Sequence, residues 1–155
     1  MKWVERANLH LTLKFLGEID EKQQVAIRDQ LLATAKKQKP FEIQLEGIGA
    51  FPKTSDPRVI WIGVTVGKEP LMQLARTLEE DCAELGFAKE ERPFSAHLTI
   101  GRVRSSQHLA SLVKKLQVAE FRGSNPASIE KLILFQSLLL PAGPTYIPLA
   151  ETPFI

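Results

Sequence analysis

Histidine is scarce in this chain, with three in 155 residues, and cysteine and tyrosine occur once each. A single thiol, Cys82, cannot close an intramolecular disulfide, and within its helical run it reads as a small buried apolar residue. No apolar run reaches the length of a membrane-spanning helix. The greasiest stretch, Ile129 to Leu140, is interrupted by Glu130, Lys131 and Gln136. The opening Met1-Lys2-Trp3-Val4-Glu5-Arg6 lacks the apolar core of a signal peptide, so a cytoplasmic protein without a membrane partner is expected. Net charge of one sign is nearly absent at +2, which excludes a strongly basic nucleic-acid coat but leaves room for a local basic cleft. Glycine-rich phosphate loops of the Walker or dinucleotide type are missing, as are linkers and low-complexity segments. What remains is ordinary: 44% hydrophobic and 25% charged residues, enough for one soluble domain with a real core.

Two of the three histidines stand in the same pattern. His10-Leu11-Thr12-Leu13 and His97-Leu98-Thr99-Ile100 are both His-x-Thr-x with apolar residues at x. Each lies in an apolar run of β character, residues 8–16 and 94–103. Alternation along a strand puts His10, Thr12 and Lys14 on one face, with Leu9, Leu11, Leu13 and Phe15 on the other. It puts His97 and Thr99 together opposite Ala96, Leu98 and Ile100. One such strand is usually a strand with a polar side. Two in a chain this poor in histidine point to a shared cleft holding two imidazoles and two hydroxyls.

The remaining pattern alternates strands and helices. Asp20 is a helix N-cap, Glu21 to about Lys39 carries helical spacing, and Pro40 stops it. The cations Lys36, Lys37 and Lys39 read as the solvated helix end. Phe41 to Glu46 and Val59 to Val66 read as an antiparallel pair around a loop too long for a tight hairpin. Leu71, Leu74, Leu78 and Cys82 stripe a helix that Gly86 caps. Ser105-Ser106 read as the cap of a helix over about 107–117, and residues 127–140 and 146–150 read as strands. The order, with a His-Thr strand ahead of each half, predicts an α+β fold of two pseudo-symmetric lobes, each an antiparallel-rich sheet with helices outside.

Paired imidazoles suit acid-base chemistry because one can be neutral and the other protonated near neutral pH. In phosphodiester cleavage the neutral ring takes a proton from the attacking oxygen. The protonated ring gives one to the departing oxygen on the far side of phosphorus. Each threonine hydroxyl can hold a non-bridging phosphate oxygen. A metal centre is less favoured, since no short His/acid spacing occurs and His108 falls at an exposed helix start. A serine triad lacks its Gly-x-Ser-x-Gly turn and leaves the second matched histidine unexplained.

The stretches Asn8-Leu-His-Leu-Thr-Leu-Lys-Phe-Leu-Gly17 and Arg92-Pro-Phe-Ser-Ala-His-Leu-Thr-Ile-Gly-Arg102 resemble those of the two-histidine phosphoesterase superfamily. Within it they are similar to the RNA 2′,3′-cyclic phosphodiesterases, also called 2′-5′ RNA ligases. Gly47-Ile-Gly-Ala-Phe-Pro52, Pro57-Arg-Val-Ile-Trp-Ile-Gly63 and Gly143-Pro-Thr-Tyr146 extend the likeness along nearly the whole chain. The resemblance implies a single two-lobed domain over 1–155 with its active cleft between lobes, and neither metal nor cofactor. It implies hydrolysis of RNA 2′,3′-cyclic phosphate ends to 2′-phosphomonoesters, with reversible 2′-5′ ligation of tRNA halves in some members. RNA 3′ ends or tRNA fragments are then the partners, met by a monomer. It implies His10 as proton donor to the leaving O3′, His97 as proton acceptor from water, and Thr12, Thr99 and Arg102 as phosphate ligands. Strand parity sets Arg102 on the wrong face, so that role requires a bulge near Gly101.

Lys14 shares the His10 face and reads as a phosphate neutraliser or a rim lysine. Phe51 and Tyr146 read as packing residues, with base stacking as the alternative. Trp3 and Trp61 read as structural. Two departures from the family's pattern stand out. Its usual opening strand and helix are not in this sequence, which begins nine residues before His10, and Ser95-Ala96 replaces a basic-Pro pair. Two other functions stay open: a non-catalytic RNA-end-binding module, and an esterase of the same superfamily acting on small cyclic nucleotides or ADP-ribose cyclic phosphate.

Overall fold

The computed structural model describes all residues, Met1–Ile155. In chain order the elements are β1 (Lys2–Trp3), α1 (Glu21–Ala35), β2 (Phe41–Ile43), β3 (Leu45–Lys53), β4 (Asp56–Val64), α2 (Lys68–Glu84), β5 (His97–Arg102), α3 (Leu109–Val118), β6 (Ala127–Ile129), β7 (Lys131–Leu140) and β8 (Gly143–Pro153). Helices and antiparallel sheets are mixed, as the α+β reading requires. The contacts divide the chain into two units, each drawn from three separate stretches. No helix is long and apolar enough to cross a membrane.

The first unit comprises Met1–Thr12, Ile43–Lys68 and Ser95–Ala127. Its frame is a four-stranded antiparallel sheet in the order β1-β5-β4-β3. The β-branched run Val59 to Val64 supplies the central strand. Lys53 pairs with Asp56, so β3 and β4 meet in a tight turn over Thr54 and Ser55 rather than the long loop expected. The polar, proline-rich composition concealed this. Pro52 stands opposite Pro57, and a register shift absorbs Arg58 as an extra residue. Helix α3 turns Leu109, Leu112 and Leu116 toward Ile48, Ile60, Ile100 and Val103 of the sheet across a groove of about 380 Å³. Its N-terminus is not capped by Ser105 or Ser106 side chains. His108 takes the cap position at φ 61°, and Ser106 offers only its carbonyl, to Leu109 N–H at 3.2 Å.

The second unit comprises Leu13–Glu42, Glu69–Phe94 and Ser128–Ile155. Its core joins Ile27 and Leu31 of α1, Leu74, Leu78 and Cys82 of α2, and Leu132 and Leu134 of β7. Burial of each such side chain stabilises by roughly 2 kcal/mol. Cys82 is the buried apolar residue anticipated, and burial raises its thiol pKa. Asp20 accepts Gln23 N–H at 2.7 Å while Gln23 returns its side chain to Asp20 N–H, a complete capping box. Helix α1 ends at Ala35, short of Lys39, in a tightened turn. Gly86, at φ 93°, ends α2. Phe87 N–H bonds Cys82 O and Gly86 N–H bonds Ala83 O, the paired bonds of a Schellman motif. Strands β7 and β8 form one long hairpin from Lys131↔Pro153 to Leu140↔Gly143. The expected strand over 146–150 is therefore the middle of a longer one, and β2 pairs with β6 in a short ribbon.

The clearest departure is residues 8–16. A single 3₁₀ turn occupies Arg6–Asn8, and no ladder hydrogen bonds follow it. The alternating composition is there, but no neighbouring strand takes up this backbone, and the facing pattern breaks with it. Leu13 and Leu16 pack on the second unit's core, while Phe15 is 71% exposed.

Candidate active site

His10, Thr12, His97, Thr99 and Arg102 all belong to the first unit. The two histidines are held alike, although one stands on a strand and the other does not. His10 Nδ1 lies 2.6 Å from Asn8 O, and His97 Nδ1 lies 2.7 Å from Ser95 O. In each the partner is the carbonyl two residues back. A carbonyl can only accept, so each Nδ1 carries a hydrogen. The neutral ring then has its lone pair on Nε2, and the protonated ring has its transferable proton there. Each ring thus presents Nε2 for acid or base work, and the backbone contact at Nδ1 is the same in both. Ser95, the departure from the basic-Pro pair, contributes only a backbone oxygen, which any residue supplies.

Which side chains share the face of His97 follows from register. His97 pairs with Gly63, Thr99 with Trp61, Ile60 with Gly101 and Val59 with Arg102. Between Trp61 and Ile60 the partner strand takes one extra step, so Ile100 is a bulge residue. Ile60 and Ile100 line the groove under α3, on the opposite face. Past the bulge parity is reversed, and Arg102 joins His97 and Thr99. The bulge that the arginine's role demanded is present.

The floor beside His97 is aromatic. Trp61 pairs with Gly49, and its indole lies flat across that glycine. A Cβ at Gly49 would sit 2.1 Å from Trp61 Cζ2, so only glycine fits under the ring. One at Gly63 would meet Glu46 O at 2.9 Å. The Phe51 ring centroid lies 5.3 Å from that of Trp61 and 5.0 Å from that of His97, edge-on to the imidazole at 83°. Trp61 itself stands 6.3 Å from His97. Phe51 is 36% exposed and packs between Trp61 and His97. Trp61 Nε1 is buried with no acceptor. Both aromatics had read as packing residues. They do pack, and what they pack against is His97; a tryptophan with glycine at its cross-strand partner and another two residues on marks such a flat ring.

Lys14 does not serve a phosphate. Its Nζ donates to Glu79 Oε1 at 2.6 Å and to Ala88 O at 2.7 Å, within the second unit, with its side chain 6% exposed. Glu79 also accepts Glu90 N–H at 2.8 Å. Partial burial opposes ionisation of Glu79, but these two donors prevail and hold its carboxyl below the ordinary value of 4.5. Parity failed here because residues 9–16 are not a ladder strand. Tyr146 packs edge-on to Phe135 at 6.0 Å, also in the second unit.

Two histidines in His-x-Thr sequence, each with Nδ1 turned to the carbonyl two residues back, and an arginine on the face of one of them are the features the two-histidine class shows. By its match to the family model described as the 2′-5′ RNA ligase superfamily, over residues 1–137, the chain belongs to that superfamily. It is 41% identical over 147 residues to the RNA 2′,3′-cyclic phosphodiesterase of Archaeoglobus fulgidus, covering 94% of this chain and 80% of that one. It is 37% identical over 153 residues to the protein of the same name from Aquifex aeolicus, covering 97% and 80%. Among solved structures it resembles TT0787 of Thermus thermophilus, with a TM-score of 0.80 at 26% identity, over 99% of this chain and 81% of that one.

Proposed function

We propose that this chain opens the 2′,3′-cyclic phosphate at an RNA 3′ end to a 2′-phosphomonoester, without a cofactor. The carrying observation is the matched setting of His10 and His97, each with Nδ1 committed to the carbonyl two residues back. His97 Nε2 takes a proton from water as the water oxygen bonds to phosphorus. The P–O3′ bond breaks, and protonated His10 gives its Nε2 proton to O3′, leaving a free 3′-hydroxyl and the phosphate on O2′. Thr12 and Thr99 donate to the non-bridging oxygens, where charge accumulates, and Arg102, on the face of His97 and Thr99, contacts phosphate of the same RNA strand. A second turnover finds the protons exchanged between the rings, which solvent restores. With an RNA 5′-hydroxyl in place of water, the same steps make a 2′-5′ linkage, and their reversal breaks it.

The names of the curated relatives support RNA as the substrate class. Cleaved RNA or tRNA fragments, met by a cytoplasmic monomer, are the setting this reading favours. The test is hydrolysis of a cyclic-phosphate-ended oligonucleotide in the presence of chelator, with the product's phosphate position read by ³¹P NMR. Release of the 2′-phosphate, abolished by His10→Ala and by His97→Ala, supports the reading. RNA binding without turnover returns the chain to a binding module, and turnover of small cyclic nucleotides alone returns it to the esterase alternative.

A further inference from the structure

The bulge at Ile100 has a second product on the edge strand. Lys2 pairs with Arg102 and Trp3 with Gly101. Trp3 lies on the α3 side: it lines the groove with Ile60 and Ile100, and its ring carbons stand 3.3 and 3.5 Å from where a Gly101 Cβ would be. Lys2, one residue away, therefore faces the other side, with Arg102, Thr99 and His97. Two cations stand directly opposite across adjacent strands, an arrangement that costs stability by itself. Neither has a carboxylate or any other polar partner: the ion pairs of the chain are Lys14–Glu79, Arg58–Asp56, Arg122–Glu120 and Lys131–Glu151. Arg102 is exposed and Lys2 half-buried, so the pair is open to an anion.

We infer that Lys2 and Arg102 form a second phosphate site, which binds the phosphodiester one nucleotide upstream of the cyclic phosphate. The spacing fits. With the bulge counted once, Arg102 lies two register steps beyond Thr99, about 7 Å along the strand, which suits the next phosphate of an extended single strand. The site would make this chain favour RNA ends over mononucleotides. That inference rests on the function proposed above, since it assumes that the cyclic phosphate sits at His97 and Thr99.

The test measures Lys2→Gln and Lys2→Arg on two substrates: 2′,3′-cyclic AMP and a short oligonucleotide ending in a 2′,3′-cyclic phosphate. Lys2→Gln is expected to lower the oligonucleotide-to-mononucleotide ratio of kcat/KM about five- to tenfold, through KM, with a Tm equal to or slightly above that of the unsubstituted chain, because the like-charge pair is relieved, and Lys2→Arg to restore the ratio. In parallel, the affinity for a labelled RNA ending in a 2′-phosphate is followed against salt. One lost contact lowers the slope of log affinity against log salt by about 0.7. An unchanged ratio and slope, or an equal loss on both substrates, overturns the inference. Should the unsubstituted chain turn over neither substrate, the proposed function falls. The salt slope of RNA binding still reads the Lys2 site on its own.

Discussion

Substituting Gly49 by alanine moves no charge and touches no proposed catalytic group, yet it should cost both stability and rate. The added Cβ would stand 2.1, 2.3 and 2.7 Å from Cζ2, Cη2 and Cε2 of Trp61, where ordinary contact begins at 3.4 Å. The indole must retreat by more than an ångström, or the β3–β4 pair must open. Retreat is obstructed by Phe51, 5.3 Å away between centroids, and Phe51 in turn abuts His97 at 5.0 Å. Overpacking of this kind costs about 1–3 kcal/mol, which lowers Tm by roughly 3–10 °C in a chain of this size. An ångström of displacement at His97 reduces kcat/KM up to about 10²-fold. Trp3 and Trp61 are the only tryptophans, so a Trp3→Phe background makes the emission report Trp61 alone. The assay is thermal melting, emission and cyclic-nucleotide hydrolysis on the same preparations. Adding Trp61→Leu to Gly49→Ala removes the clash and should recover part of the lost stability, but not the rate. A Gly49→Ala chain with unchanged Tm, emission and rate would refute the packing account.

Three more expectations follow from single side chains. Glu79→Gln leaves the Lys14 ammonium, 6% exposed, without its counter-charge. Because Glu79 is partly solvated, the cost should be about 2 kcal/mol rather than the full buried-pair value, and Lys14→Met with Glu79→Leu should recover most of it in urea titrations. The depressed Glu79 carboxyl is a group whose folded-state pKa lies below its unfolded one, so its contribution is complete above about 4.5 and is lost as pH falls below that. Stability measured from pH 6 to 3 should therefore fall less steeply in Glu79→Gln than in the unsubstituted chain. Asp20→Ala removes the capping box and should cost about 1 kcal/mol, read as a lowered urea midpoint at constant slope.

Much of this was legible in the chain, for identifiable reasons. Asp20, the stripe Leu71 to Cys82, and Gly86 are local signals, and each produced the element it announced. His97 and Thr99 were placed correctly because β5 is a ladder strand, and parity is reliable there. The same rule failed for Lys14, because a strand's facing pattern requires a β-ladder and residues 9–16 lie in none. The turn at Thr54 and Ser55 was obscured by prolines that pair with each other across strands. Arg102 is the instructive case: parity excluded it and a bulge restored it, and bulges are set by the neighbouring strand's register, which no local sequence window contains. The aromatic floor under His97 is likewise a cross-strand fact, carried by Gly49 on one strand and Trp61 on the next.

The proposed function stands on His10 and His97 working as one acid-base pair through their Nε2 atoms. The direct measurement is kcat/KM for a 2′,3′-cyclic-phosphate RNA end as a function of pH, for the unsubstituted chain, His10→Ala and His97→Ala. The account predicts a bell with two titrating limbs, and a loss of at least about 10²-fold in each variant. A flat profile, or full activity in either variant, would contradict it.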